Sequence, residues 1–514
     1  MKAPKTKREK GFAIVMTTLA LVSTMLVAGL GFDVATLYLI RTKLQGAMDA
    51  AATAAARALT QNPSTTNAQA IGEEFLTANF PNGYWGAQPL ASMPVATAVS
   101  VSEVDANGNP GTPGTTATAK VVTVTAGVSA PLYFLRMLGQ SSANISFTAQ
   151  ATRQGVLVML LLDGSGSMSS VTFGGQTPCV WAQQDAQAFL GYSQWDPDID
   201  RIGAVAFGGN TYTSAPVANF QSPAGTLNTS SQVYTDLGTF SSGCGGNTNT
   251  VEGLQQAYNA IKTFWGASTP SRANVIILMT DGAPNGFTAN WSTAPLVSGS
   301  TCAAAAGHTL TGYVARQTPT ETGIFNVAPT ASYKMSMQGI GTLGIISDNG
   351  HCKFDTSGNS YFYQDFTTVP AKDAYGDNLY GVGTYQSSVS SAMPTNATPT
   401  STSTTAPIGD SSTTTEWQFV YLSQNAADGA ATRLRTDSTY RVAIYSIGLY
   451  GNVVAGDPYD AVDATLLNRI ANTTSSPIYD PSQPVGAYFA APDATQLASA
   501  FAQVASAIVA RLSK

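Results

Sequence analysis

The sequence predicts an α/β protein: a doubly wound, mostly parallel sheet with a large insertion, preceded by an apolar membrane-crossing helix and a small α+β segment. Three observations carry this expectation. Two continuous apolar runs, Gly155–Leu162 and Asn274–Met279, each end in an Asp-containing loop, as buried parallel strands do. Strand-like runs from Gly155 onward alternate with helical patterns, the signature of helices covering both faces of a sheet. Near the start, Phe12 to Phe32 is free of charge and follows a basic tip, enough apolar length to span a bilayer.

In chain order, residues 1–59 read as a basic tip, a transmembrane helix and a helical stalk. The helical pattern runs past Asp33 through Leu37, Ile40, Leu44, Met48 and an Ala-rich stretch, with no Pro before Pro63. The span is longer than a secretory h-region, and no Ala-x-Ala site closes it before Asp33. A retained anchor is expected, with the Lys/Arg-rich N-terminus cytoplasmic and the bulk of the chain periplasmic or extracellular.

Residues 60–152 read as the small α+β segment. A helix is expected over 68–79, strands over 99–104, 117–128 and 144–149, a turn or hairpin loop at Asn107–Gly114, and a short amphipathic helix over 131–138. Residues 153–514 then supply strands at 155–162, 202–207, 275–280, 440–449 and 487–490. Helices are expected at 181–190, after Thr248, at 464–471 and at 493–512. The stretch at about 286–415 is too long for a loop in a compact domain and reads as an insertion, its tail Ser387–Thr415 as a linker.

The chemistry concentrates in three loops. Asp163-Gly164-Ser165-Gly166-Ser167 places one carboxylate and two hydroxyls at alternating positions after the first strand. Gly245-Gly246-Asn247-Thr248-Asn249 enters a helix, and Thr280-Asp281-Gly282 ends the second apolar run. Oxygen donors of this kind suit hard cations. In this order and context, the three segments resemble the metal-ion-dependent adhesion site of von Willebrand factor A domains. That resemblance implies Asp163, Ser165, Ser167, Thr248 and Asp281 as metal ligands, with Mg²⁺ as the ion and Mn²⁺ or Ca²⁺ as alternatives. The mainly hydroxyl ligand set would leave the cation electrophilic, with room for a carboxylate from a protein partner.

At the other end, Gly11-Phe12-Ala13-Ile14, Phe32–Tyr38 and Leu44–Ala51 resemble the N-terminal region of Tad (tight adherence) pilus-assembly proteins of the TadG type. Such proteins join this region to a C-terminal von Willebrand A domain. For residues 60–152, a long N-terminal helix followed by a strand meander reads as pilin-like. Prepilin-peptidase substrates usually carry Glu at the fifth position after the processing Gly. Counting from Phe12, Met16 stands there, which leaves cleavage after Gly11 open.

Composition narrows the partners. Only 11% of the residues are charged, and the net charge is −6. Residues 1–43 hold seven of the 24 Lys and Arg but two of the 30 Asp and Glu, so the remainder is more acidic than the whole. No basic footprint for nucleic acid exists. Four cysteines permit three pairings. Cys179 with Cys244, both flanking the candidate loops, and Cys302 with Cys352, inside the insertion, are the expected ones. The only histidines, His308 and His351, fall in the insertion, and neither Ser165 nor Ser167 has an evident base beside it.

The expected function is therefore non-enzymatic: a membrane-anchored adhesion or pilus-assembly protein. It would bind a protein ligand, or another pilus-assembly subunit, through a divalent metal. The alternatives are a structural pilus component with a stabilising metal and, more distantly, a metal-dependent hydrolase.

Overall fold

The computed structural model describes residues 8–93, 98–208, 211–222, 225–292, 309–318, 321–325, 369–389, 413–451 and 461–512. They form two compact units. The first contains the chain up to Pro110 and Ala119–Arg153, the second Gly111–Thr118 and Gln154–Leu512.

In the first unit, helix α1 (Arg8–Gln61) runs unbroken for 54 residues. It contains a stretch long and apolar enough to cross a membrane. The Ala-rich second half buries Ile40, Leu44, Met48, Ala51, Ala55 and Leu59, where small side chains let neighbouring elements approach closely. Helix α2 (Thr65–Asn79) starts where the Ser64 side chain accepts a hydrogen bond from Asn67 N (3.3 Å). At Gly72 an added Cβ would meet Val99 at 3.1 Å and Ala55 at 3.2 Å, so α2 packs tightly on α1 and the sheet.

That sheet comprises β1 (Gln88–Pro89), β2 (Val99–Val104), β3 (Ala119–Pro131) and β4 (Ser142–Gln154). Strand β3 pairs with β1 and β2 antiparallel, and with β4. Burial in β2 to β4 largely alternates, as a sheet covered on one face requires. The expected amphipathic helix at 131–138 is corrected here. Strand β3 runs to Pro131 and only Leu135–Leu138 form a single 3₁₀ turn, with Tyr133, Phe134, Met137 and Leu138 exposed. The apolar spacing that suggests a helix belongs to a loop whose backbone is held by a side chain of α1.

The second unit is built on a six-stranded sheet of order β13-β12-β8-β5-β6-β7. Its strands are β5 (Val156–Asp163), β6 (Arg201–Phe207), β7 (Thr211–Val217), β8 (Ala273–Thr280), β12 (Ala443–Leu449) and β13 (Tyr488–Ala491). All neighbours are parallel except the β6–β7 edge pair. A small antiparallel sheet, β9 (Gly286–Ser292), β10 (Thr309–Thr318) and β11 (Glu321–Phe325), follows β8.

Every residue of β5 and of β6 is buried, and successive side chains enter different cores. Leu157, Met159 and Leu161 join α5 (Thr250–Trp265), α6 (Thr413–Thr436) and α7 (Ala464–Ile470). Val158, Leu160 and Leu162 join α3 (Pro178–Leu190), α4 (Gln232–Leu237) and α8 (Leu497–Leu512). The result is a three-layer sandwich with helices on both faces.

Besides β1 and the strands β9 to β11, the elements β7, α4 and α6 were not legible in the sequence. Strand β7 contains Pro216, which a sheet accepts at an edge. Helix α4 is short, and Ser231 caps it by accepting from Tyr234 N (3.4 Å). Helix α6 buries Leu422, Ala426, Ala427, Ala430, Ala431 and Leu434, a face made mostly of Ala. The insertion is also less separate than expected: Phe287, Ala289, Val369, Leu379 and Val389 lie in the same core as α5.

Candidate metal centre

Strand β5 leads through β6 and β7 to one half of the sheet, and β8 leads through β12 and β13 to the other. Their parallel carboxyl ends therefore form the switch point at which doubly wound sheets collect ligands. Asp163 is the last residue of β5, and Asp281 follows the last residue of β8.

Side-chain hydrogen bonds link the two strand ends. One Asp163 carboxylate oxygen, Oδ1, accepts from Ser165 N (2.8 Å), and Oδ2 accepts from Thr280 Oγ1 (2.5 Å). Ser165 Oγ lies 2.9 Å from Ser167 Oγ, and Ser167 Oγ donates to Asp281 Oδ1 at 2.8 Å. Four of the five expected ligands, Asp163, Ser165, Ser167 and Asp281, thus sit together with Thr280.

Thr248 is brought in through its backbone. Its N–H donates to Asn285 Oδ1 (2.7 Å) and its carbonyl accepts from Asn285 N (3.1 Å). Main-chain bonds fasten the second loop to the first: Gly245 N to Gly164 O (2.8 Å) and Gly166 N to Gly246 O (2.9 Å). Gly164 N also donates to Phe207 O (2.7 Å), tying the first loop to the end of β6. Asn249 caps α5 by accepting from Glu252 N (3.2 Å). At Gly253 an added Cβ would lie 2.8 Å from the Phe207 ring and 2.9 Å from Leu161, so the helix rests directly on β5 and β6.

Asp163, Ser165, Thr248 and Asp281 are buried, while Gly166 and Ser167 are half-buried and form the open side. Burial pushes the Asp163 carboxyl above the usual carboxylate range, although hydrogen bonds from Thr280 and Ser165 act in the opposite direction. An ionised carboxylate in so dry a place is costly unless a positive charge accompanies it. Among the described residues no three Asp, Glu, His or Cys side chains gather as a metal-holding group. The donors here are two carboxylates and hydroxyls, an all-oxygen set that fits a hard cation.

Reasoning from sequence assigned no role to Thr280 or Asn285, which orient Asp163 and the Thr248 loop. Thr280 opens the Thr280-Asp281-Gly282 motif and Asn285 stands in Pro284-Asn285-Gly286 just before β9, signals that mark both positions without giving their partners. Glu252 is another buried carboxylate close to Thr248 in sequence, but it is engaged. It accepts from Thr288 Oγ1 (2.9 Å), Gln256 Nε2 (2.7 Å) and the Tyr375 hydroxyl. Burial, then the neighbouring Glu252 charge, pushes the Tyr375 hydroxyl up.

Cys179 and Cys244 form a disulfide with their Cα atoms 6.5 Å apart, joining the start of α3 to the residue before Gly245. The expected Cys302–Cys352 pair, together with His308 and His351, lies outside the described residues.

Residues 158–283 match the family model for the von Willebrand factor type A domain, and the sheet with its strand-end loops is a domain of that class. Residues 11–58 match the model described as putative Flp pilus-assembly TadE/G-like. The chain thus carries both parts of the TadG type: a TadE/G-like pilus-assembly region and, after it, a von Willebrand A domain.

Similar solved structures include a point mutant of the PilB minor pilin from Streptococcus sanguinis. It is 13% identical, with 81% of this chain and 80% of that one covered and a TM-score of 0.37. The pilus adhesin SpaC from Lactobacillus rhamnosus GG is 13% identical over 83% of this chain and 36% of its own, with a TM-score of 0.35. The von Willebrand domain of the type V pili tip protein Mfa5 from Porphyromonas gingivalis is 16% identical over 70% and 96%, with a TM-score of 0.31. Comparison with curated proteins gave no match.

Proposed function

We propose that this protein is a membrane-anchored, non-catalytic adhesion or pilus-assembly component. In this reading its von Willebrand A domain binds a protein partner through a divalent cation. Asp163, Ser165, Ser167, Thr248 and Asp281 would hold the ion, Mg²⁺ in the first place, with Mn²⁺ or Ca²⁺ as substitutes. The partner, a surface ligand or another pilus subunit, would present a carboxylate on the Gly166–Ser167 side.

One observation carries the reading: the hydrogen-bonded string Thr280–Asp163 and Ser165–Ser167–Asp281 at the carboxyl ends of β5 and β8. When bound, the ion would supply a Lewis-acidic point for the incoming carboxylate. The protein's own part is to orient oxygens and exclude water, with hydrogen bonds from Thr280 and Ser165 opposing the burial that disfavours a charged Asp163. No side chain in the cluster is a free general base, which disfavours hydrolysis.

The test is titration of the full-length protein in nanodiscs with Mg²⁺, Mn²⁺ and Ca²⁺, followed by partner capture with and without EDTA. Asp163→Ala and Asp281→Ala should each abolish cation binding and EDTA-sensitive capture while circular dichroism stays unchanged. Unaltered cation affinity in both variants would sink the proposal.

A second reading keeps the metal but makes it structural, and the near-complete burial of Asp163 and Asp281 favours it. Here metal would raise the melting temperature while partner capture stayed indifferent to EDTA.

A further inference from the structure

The loop Leu132–Gly139 of the first unit is a short excursion between β3 and β4 that leaves large apolar side chains in the open. Met137 is 79% exposed and Leu138 68%, with Tyr133 and Phe134 also exposed. Single exposed apolar residues need no explanation. These differ because of where α1 holds them.

Buried Asp33, the first charged residue after the uncharged Phe12–Phe32 stretch, grips the loop backbone. Its Oδ1 accepts from Tyr133 N (2.8 Å), and its Oδ2 accepts from Phe134 N (3.0 Å) and Leu135 N (2.7 Å). The Tyr133 and Phe134 rings meet Phe32 edge-on at 5.8 and 5.9 Å. Phe134 reaches further back along the helix. A Cβ added at Gly29 would lie 2.3 Å from its ring, so the ring occupies the space a side chain would take. Gly29 precedes Asp33 by four residues, a rise of about 6 Å along the helix and into the apolar stretch.

We propose that this loop dips into the bilayer interface at the Asp33 end of the membrane span, as a second membrane contact besides the helix. The inference rests on the reading that Phe12–Phe32 crosses the membrane. If Gly29 lies in lipid, the ring packed on it lies there too, and Met137 and Leu138 on the same loop follow. Tyr133, and Trp85, whose carbonyl accepts from the Tyr133 hydroxyl at 3.4 Å, are the amphipathic aromatics that favour the headgroup level. Exposed Arg136 suits lipid phosphates. Asp33, buried and satisfied by three N–H groups, can sit at this boundary without meeting lipid as a bare charge.

The experiment reconstitutes the full-length protein at low density in phosphatidylcholine vesicles whose acyl chains are brominated near the headgroup or, for the probe within the span, near the chain ends. A fluorescent residue replaces, in separate samples, Leu138, Leu21 within the span, and Asn107 as an exposed control. The proposal expects most of the fluorescence at 138 to be lost to bromine, with 107 unaffected. Gly29→Leu, which displaces Phe134, should restore a large part of the signal at 138.

If Leu21 is quenched and 138 is not, the loop does not enter lipid and the inference falls while the span stands. If 138 is shielded from aqueous iodide yet untouched by bromine, a protein surface covers the loop and the inference also falls. An unquenched probe at Leu21 overturns the span and the loop contact with it.

Discussion

The two large sheets of this protein solve opposite burial problems. In the first unit β3 alternates, with Val122 and Val124 buried and Val121 and Thr123 only half-buried, because α1 and α2 cover one face. In the second unit β5 buries every residue, because helices cover both faces. A half-covered sheet constrains one side-chain parity. A fully covered sheet constrains both, and it can present chemistry only at its ends, where strands break into loops. That is where Asp163 and Asp281 stand.

Substitutions in the strands test this contrast most directly. Leu160→Ala and Leu161→Ala, on opposite faces of β5, should each destabilise the second unit by about 2–5 kcal/mol. In β3, Val122→Ala should cost about 2 kcal/mol and Val121→Ala well under ~1 kcal/mol. Hydrogen exchange resolved by unit would measure both pairs. Equal costs at Val121 and Val122 would break the comparison.

The covalent tie comes next in size. Replacing Cys179 and Cys244 together by Ser should lower the stability of the second unit by about 2–4 kcal/mol, read from denaturant midpoints with and without reductant. The first unit, which has no cysteine in the sequence, should melt as before.

A smaller effect depends on pH. Asp185 on α3 accepts from Ala498 N of α8, and its Oδ2 has no partner among the described residues. Burial pushes its carboxyl up to about 6. Because the folded value lies above the unfolded one, ionisation works against the fold. That penalty is absent below about pH 4, grows as pH rises and is complete above about pH 6. Asp185→Asn should therefore melt higher than the parent at about pH 8 and together with it near pH 4. A constant difference across that range would remove the assigned cause.

The smallest effect compares caps in the two units. Ser64→Ala at α2 and Asn249→Ala at α5 should each cost about 1 kcal/mol. Only the second should also weaken cation binding, since Asn249 begins the helix directly after Thr248.

Strands legible in the sequence were those whose burial is uniform. The runs ending at Asp163 and Thr280 are unbroken apolar stretches of strand length, far shorter than the membrane span and closed by Gly-containing loops, as strands buried on both faces are. The stalk was equally plain, since its helical spacing meets no Pro. Signals that failed were local patterns whose meaning another segment decides. The apolar spacing at 131–138 mimics a helix, yet three backbone N–H groups there are claimed by Asp33, about a hundred residues earlier. Ala-rich α6 follows a Ser/Thr-rich stretch and looks like its continuation until its small residues are seen packed against α5 and α7.

Order and type of the loops, and the donors within them, were determined by sequence alone, because strand ends and turn residues are written locally. Only the tertiary structure decided which oxygens meet. Thr280 binds Asp163 and Ser167 binds Asp281 because β5 and β8 are neighbours in the sheet, although more than a hundred residues separate them in the chain. Strand adjacency follows from packing two apolar faces at once, and no stretch of sequence contains that information by itself.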